Sequence, residues 1–188
     1  MELSTFLKTI EILGLFAGVS YVIGAILEKR WCWYAGIIAT ILYAVSVYFG
    51  KLYGEFILQF FYLGISFYGL AQWNTLSKKK ELPISYSSLK FIFTVFLSGG
   101  ILTFGFYYLL LYFNGDYPFL DALTSGFGVV TTYMVAKKKI ENWAFWIIID
   151  IILSYIMYLK GYPFYCGLYV IYTVFSFYGF YIWKKEMG

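Results

Sequence analysis

Two tryptophans and an aspartate stand at helical spacing in an apolar stretch between residues 141 and 159. Trp143, Trp146 and Asp150 stand at positions i, i+3 and i+7, so a helix places all three on one face. Indole rings attract cations, and a buried carboxylate supplies a counter-charge. The pattern therefore favours a binding site for an organic cation. The alternative is an aromatic belt at a membrane interface, with Asp150 hydrogen-bonded to a neighbouring helix.

A second polar face precedes this stretch in the chain. Gln59, Tyr62 and Ser66 share it by the same spacing. A matching face near the C-terminus carries Tyr172 and Ser176. An amide inside a helix can hold the amide or hydroxyl groups of a substrate, although hydrogen bonding between helices is its ordinary use. Gln59 is therefore a candidate binding residue, whereas the tyrosines and serines either line the same pathway or pack the helices.

The sequence lacks the residue sets that catalysis or metal binding requires. It contains no His, its two cysteines do not have the spacing of a metal site, and no carboxylates are paired as in acid–base catalysis. We therefore expect no enzymatic activity, no metal and no cofactor. The net charge of +4 does not indicate a nucleic-acid partner either, because the basic residues lie at the ends of apolar runs and act as topology signals.

The elements that must position these residues are membrane-spanning helices. With 62% hydrophobic and 13% charged residues, a chain of 188 residues cannot hide its apolar surface inside a water-soluble domain. Its apolar runs approach the ~20 residues needed to cross a bilayer. We predict an all-α membrane protein in contact with lipid, with a single transmembrane domain over residues 1–188. The predicted helices are 11–27, 32–49, 54–73, 91–112, 118–136, 141–159 and 163–183.

Lys and Arg are distributed unevenly between the two sides of the predicted bundle. Eleven of the fourteen follow the first, third and fifth helices or lie at the C-terminus, including the lysines at 78–80 in the polar loop 74–90. By the positive-inside rule, the N-terminus lies outside and the C-terminus lies in the cytoplasm. Glu11 and Asp121 then lie near the outer helix ends, as interfacial groups or at the mouth of a pathway.

The chain matches itself at an offset of 110 residues. Ser66-Phe67-Tyr68-Gly69 matches Ser176-Phe177-Tyr178-Gly179, and the matched pairs outside this string include Gly18 with Gly128, Trp33 with Trp143, Tyr62 with Tyr172 and Trp73 with Trp183. One offset explains all of them better than chance among abundant aromatic residues. We predict two three-helix repeats of the same orientation, 11–73 and 118–183, around a linker helix, 91–112. Transporters with parallel repeats bind solute between their halves, so an interior solute pathway is expected.

These motifs resemble those of the PnuC-type vitamin transporter family. The string Glu141-Asn142-Trp143-Ala144-Phe145-Trp146, with Asp150 one turn on, is similar to the sixth-helix motif of that family. Gln59-Phe60-Phe61-Tyr62, leading to Ser66 and Trp73, is similar as well. The resemblance runs from about Glu11 to Trp183. It implies the seven-helix 3+1+3 fold of SWEET-like proteins, substrate contacts for Gln59, Asn142, Trp143 and Trp146, and a homotrimer.

The resemblance also implies facilitated diffusion of an unphosphorylated vitamin precursor across the bacterial inner membrane, with trapping by a cytoplasmic kinase. Nicotinamide riboside is the first candidate, because its pyridinium suits a Trp-lined pocket near Asp150. Thiamine, cationic through its thiazolium, is the alternative, and neutral riboflavin follows. A membrane scaffold or sensor that transports nothing is the alternative of another class. The candidate binding residues are Gln59, Tyr62, Asn142, Trp143, Trp146, Asp150 and Tyr172.

Overall fold

The computed structural model describes residues 2–76 and 82–187, which form seven α-helices and, within these ranges, no strand. Each helix is long and apolar enough to cross a membrane. The fold class predicted from the sequence is therefore confirmed at the level of seven membrane-length helices. The helices are α1 Glu2–Ile26, α2 Trp31–Phe49, α3 Tyr53–Leu76, α4 Leu89–Tyr112, α5 Pro118–Ala136, α6 Asn142–Leu159 and α7 Pro163–Glu186.

The first helix begins earlier than predicted. It includes residues 2–10, where Glu2 and Lys8 interrupt the apolar run, so a reading by hydropathy missed these turns. Hydropathy marks only the apolar part of a helix, whereas helical backbone continues through polar residues, whose propensities differ by less than about 0.7 kcal/mol. The predicted loop 74–90 is shorter than expected at both ends, because α3 continues to Leu76 and α4 begins at Leu89. Lys78, Lys79 and Lys80 lie outside the described residues.

The helices group into two units, Met1–Leu82 and Pro83–Gly188. In the first unit, α2 packs against α1 and α3. In the second unit, α5 packs against α4 and α6, and α6 packs against α7. The most buried helix is α5, with 67% of its span buried, against 17% to 28% for the other six. The apolar surface that the other helices leave exposed suits lipid as the solvent.

Close approach of α4 and α5 organises the second unit. A Cβ added at Gly126 of α5 would lie 2.6 Å from the backbone nitrogen of Thr103 on α4, so only glycine fits there. Beside this crossing, Val95 of α4 packs with Val130 and Met134 of α5 in a buried apolar cluster. Small residues at a helix crossing allow backbones to meet, which is how helices associate in lipid.

The repeat seen in the sequence extends to the backbone turns. Glu28 and Lys138, one repeat apart, both have left-handed conformations after α1 and α5, with φ of 54° and 49°. Lys51 and Gly161, also one repeat apart, follow α2 and α6 with φ of 58° and 75°. The two three-helix segments therefore share their helix ends as well as their motifs. The same orientation of the two repeats in the membrane stays a prediction.

Candidate functional site

Trp143 joins α6 to α7 near the start of α6. Its ring meets Trp183 edge-on, with centroids 5.3 Å apart and an interplanar angle of 85°. Gly179 of α7 permits this contact, since a Cβ there would lie 2.7 Å from the Trp143 indole. The Trp143 side chain is only 2% exposed. It therefore packs between helices and is not part of a lipid-facing belt.

Asp150 forms a second contact between the same two helices. The Ser176 hydroxyl of α7 donates a hydrogen bond to Asp150 Oδ2 at 3.4 Å, and both side chains are buried. Tyr172, one turn before Ser176, lies within electrostatic range of Asp150. Trp146, one turn before Asp150 on α6, is half-buried. This long hydrogen bond is the interhelical contact considered for Asp150 from the sequence, and a buried carboxylate makes it.

Asn142 and Trp143 present polar atoms without partners. Asn142 is the first residue of α6, and its Nδ2 donates to the Lys139 carbonyl at 2.6 Å. Its Oδ1 is buried and accepts no hydrogen bond from the described residues, and the buried Trp143 Nε1 donates none to them. An unpaired buried polar atom costs about 1–3 kcal/mol, and both atoms are enclosed in this structure, since Asn142 is 0% and Trp143 is 2% exposed.

Gln59 and Tyr62 belong to α3 of the first unit. Gln59 is buried, and its Nε2 donates to the Glu55 carbonyl one turn earlier at 3.1 Å. It lines an open groove of about 360 Å³ between α2 and α3, together with Thr40 and apolar side chains. The Gln59 amide thus donates this hydrogen bond within its own helix, whereas a buried amide ordinarily bonds a neighbouring helix.

The first unit repeats the tryptophan contact of the second. Trp33 meets Trp73 edge-on at 5.5 Å and 90°, and Gly69 lies against the Trp33 ring as Gly179 lies against Trp143. Trp33 also contacts the Tyr21 ring, with centroids 5.7 Å apart. Through these contacts, the buried indole of Trp33 on α2 packs against both α1 and α3.

Tyr21 and Thr131 are polar residues that the sequence analysis missed. They lie one repeat apart on α1 and α5, and neither buried hydroxyl has a hydrogen-bond partner among the residues that the structure describes. Trp33 Nε1 in the first unit shares this property with Trp143 Nε1 in the second. The two positions are related by the offset of 110, but they hold different residue types, so matching identical residues does not pair them.

Glu11 and Asp121 tie helices together. Glu11 Oε1 accepts a hydrogen bond from the Ser46 hydroxyl of α2 at 3.0 Å. Asp121 forms an ion pair with Lys160, the residue that caps the C-terminus of α6, at 3.0 Å. The two carboxylates lie 110 residues apart and join equivalent helix pairs, α1 with α2 and α5 with α6. The partner in the first pair is a neutral hydroxyl, and the partner in the second pair is a cationic ammonium group.

The candidate residues therefore fall into two groups. In the first group, Asn142, Trp143, Trp146 and Asp150 lie on α6, and Tyr172 lies on α7 one turn before Ser176, which bonds Asp150. Gln59 and Tyr62 form the other group, on α3. Within the described ranges, no cluster of three or more His, Cys, Asp or Glu side chains is able to hold a metal ion. The α6–α7 group offers a carboxylate, hydroxyls and indoles, which is a suitable set for an organic cation with hydrogen-bonding groups.

The chain is similar to proteins whose names describe transport of vitamin B3 compounds. It is 25% identical to the nicotinamide riboside transporter PnuC of Escherichia coli (strain K12) and to that of Shigella flexneri, over 82% of this chain and 76% of each relative. Its structure is similar to the crystal structure of the vitamin B3 transporter PnuC, with a TM-score of 0.76 and 23% identity, over 95% of this chain and 82% of that chain.

The structural similarity shows that the fold is shared, and the resemblance to PnuC-type proteins is confirmed. Both relatives are named as transporters, in agreement with a multi-pass membrane protein. The model of one family, described as nicotinamide mononucleotide transporter, matches residues 8–185. Since that match covers nearly the whole chain, this protein belongs to the nicotinamide mononucleotide transporter family.

Proposed function

We propose that this protein carries nicotinamide riboside across the bacterial inner membrane into the cytoplasm by facilitated diffusion. The observation that carries the proposal is the buried Asp150, which contacts Ser176 of α7 and lies on the α6 face that also presents Trp146. A carboxylate within a membrane helix is costly unless a partner or a substrate uses it. A pyridinium ring supplies the cation, and the names of the two relatives supply the compound.

The site favours the riboside over the mononucleotide of the family description. A phosphate group brings about −1.5 to −2 charges at neutral pH. Helix α6 contains no Lys or Arg to balance them, and the basic residues of α7 lie in its last turn. The ammonium of Lys139, before α6, is bonded to Ser85 and Tyr86. Asp150 would repel the phosphate within the low-dielectric interior. Rejection of the phosphorylated product would also explain trapping, because a cytoplasmic kinase then converts the substrate into a compound that cannot return.

The unpartnered atoms at the start of α6 support a nicotinamide group. Asn142 Oδ1 is an acceptor and Trp143 Nε1 is a donor, which matches the donor and acceptor of a carboxamide. We assign Gln59, Tyr62, Asn142, Trp143, Trp146, Asp150 and Tyr172 to substrate binding. The proposal includes an outside N-terminus, a cytoplasmic C-terminus and a homotrimer, the last to be tested by the mass of the detergent-purified protein.

The test is tryptophan-fluorescence quenching of the purified protein titrated with nicotinamide riboside, its mononucleotide, thiamine and riboflavin. We expect saturable quenching by the riboside, weakened at least tenfold in Trp146→Phe, and little response to the mononucleotide. Trp31→Phe is the matched control, since Trp31 is exposed at the start of α2 and outside the candidate groups. Stronger binding of thiamine would make that vitamin the substrate. Absence of any saturable response would favour the scaffold or sensor.

A further inference from the structure

A short segment before α4 is bonded to the loop between α5 and α6. Ser85 N donates to the Lys138 carbonyl at 3.1 Å, and Ile140 N donates to the Ser85 carbonyl at 3.2 Å. These two bonds form an isolated parallel bridge between Ser85 and Lys139. The segment is therefore fixed by backbone pairing, although it belongs to no helix or strand.

Two charged side chains close the same contact from both ends. Glu141 accepts hydrogen bonds from the backbone nitrogen and the hydroxyl of Ser87, each at 2.8 Å and each on a separate carboxylate oxygen. Lys139 Nζ donates to the Ser85 hydroxyl at 2.8 Å and to the Tyr86 carbonyl at 3.3 Å. Bonds that involve a charged group are short and strong. We call this set, Ser85–Ser87 with Lys139–Glu141, the clamp.

The clamp adjoins the first turn of α6. Glu141 is the residue immediately before Asn142, and the Lys139 carbonyl accepts the bond from Asn142 Nδ2 at 2.6 Å. Of the two charged residues that hold the segment, Glu141 is the chain neighbour of Asn142 and Lys139 accepts its hydrogen bond. Because Ser88 caps the N-terminus of α4 one residue after Ser87, the clamp links the starts of α4 and α6.

The first repeat is held in a different way. Its loop between α1 and α2 has Lys29 at the position of Lys139 but Trp31 at the position of Glu141. There, Arg30 donates to Asn74 Oδ1 near the end of α3 at 3.0 Å. The Glu141 carboxylate, which accepts both hydrogen bonds from Ser87, is therefore found only in the repeat that carries Asn142 and Asp150.

We propose that the clamp positions Asn142 for substrate and stays closed throughout the transport cycle, so that the starts of α4 and α6 move as one body. Glu141 and Lys139 are positioning residues in this proposal, since they act through Asn142. The proposal rests on the proposed function of the α6–α7 group as a substrate site. It predicts a loss of apparent substrate affinity when the clamp is broken, with the rate at saturating substrate preserved.

The first test compares Glu141→Ala with Glu141→Gln in uptake of labelled nicotinamide riboside. We expect the alanine variant to raise KM about tenfold with little change in maximal rate, because a small displacement of a binding group is costly. The glutamine variant should restore KM, since its amide can still accept from Ser87 N and donate to Ser87 Oγ.

Adjacent serines provide the matched control. Ser87→Ala removes one clamp bond, whereas Ser88→Ala removes the α4 cap, in which Ser88 Oγ accepts from Phe91 N at 3.2 Å. Only Ser87→Ala should raise KM. Equal KM values in Glu141→Ala and the parent, or equal effects of the two serine variants, would overturn the positioning role.

The second test asks whether the clamp opens. Ser87→Cys and Glu141→Cys are combined in a background with Cys32→Ala and Cys166→Ala, and uptake is measured after oxidation and after reduction. We expect the cross-linked protein to transport with the KM of the parent and the reduced protein to show a raised KM. Loss of transport on oxidation, restored by a reductant, would show that the clamp is a gate and would refute the proposal.

A readout without substrate separates this proposal from the proposed function. The background for this readout is the protein with Cys32→Ala and Cys166→Ala, to which Asn142→Cys is added. Adding Glu141→Ala should raise the rate at which a maleimide labels the new cysteine, whereas adding Ser88→Ala should leave that rate low. If the parent protein fails to bind nicotinamide riboside, the proposed function fails, while the labelling rates still test the clamp. Equal labelling with both variants would contradict the clamp itself.

Discussion

At the scale of single residues, Asp150 defines the chemistry of the α6–α7 group. Its spacing from Trp143 and Trp146 was visible in the sequence, because a helical period fixes which residues share a face. The partner was less visible, since the sequence does not say that the face meets Ser176 of α7. Periodicity thus predicted the candidate face, and packing decided that Trp143 is enclosed while Trp146 is half-buried.

Replacement of Asp150 should separate charge from shape. Asp150→Asn keeps an oxygen that can accept from Ser176 but removes the negative charge, so we expect the Kd for cationic nicotinamide riboside to rise about tenfold or more. The reduced, uncharged form of the riboside should bind both proteins with similar affinity. Ser176→Ala is the control that removes the bond and keeps the charge. Equal weakening for both ligands in Asp150→Asn would argue for a structural role.

At the scale of elements, α5 organises the second unit. It was recognised in the sequence as one apolar helix among seven, and its bounds were predicted correctly. Its deep burial was not predicted, because small residues such as Gly126 and Thr131 lower hydropathy while allowing close packing. Hydropathy identifies a span, but it does not identify which span lies at the centre of its neighbours.

Gly126 should therefore be sensitive to a single methyl group. Gly126→Ala places a Cβ against the backbone of Thr103, and we expect a loss of stability of about 1–3 kcal/mol, with a lower Tm in detergent. Gly105→Ala in α4 is the matched control, since a Cβ there meets nothing within 4 Å. It should leave Tm unchanged or raise it, because alanine favours the helix. A similar loss in both variants would contradict close approach at Gly126.

At the scale of the whole molecule, the seven crossings followed from apolar run length, and the motifs led to the correct family. The charge distribution predicts an orientation, but helix packing alone does not report which side faces the cytoplasm. Gln59 and Asp150 were expected to share a pathway on the basis of the repeat. They lie in different units, Met1–Leu82 and Pro83–Gly188, so a shared pathway stays a prediction.

Facilitated diffusion makes a prediction for the complete transporter. In proteoliposomes loaded with unlabelled nicotinamide riboside, labelled riboside should enter by counterflow without ATP, and its final level without a preload should equal the external concentration. Dissipating a proton gradient should not change the initial rate. Accumulation above the external concentration that collapses with the proton gradient would indicate coupling and would contradict passive transport.

The left-handed residue after α2 gives a route to a sturdier protein for structural work. Lys51 N donates to the Tyr48 carbonyl, and Gly161 N donates to the Tyr158 carbonyl one repeat later, both at 3.1 Å. The two turns are thus built alike, but only one uses the residue that tolerates positive φ without strain. Lys51→Gly should raise Tm by relieving up to about 1 kcal/mol, and Gly161→Lys should lower it. The turn after α6 thus shows which residue would stabilise the equivalent turn after α2.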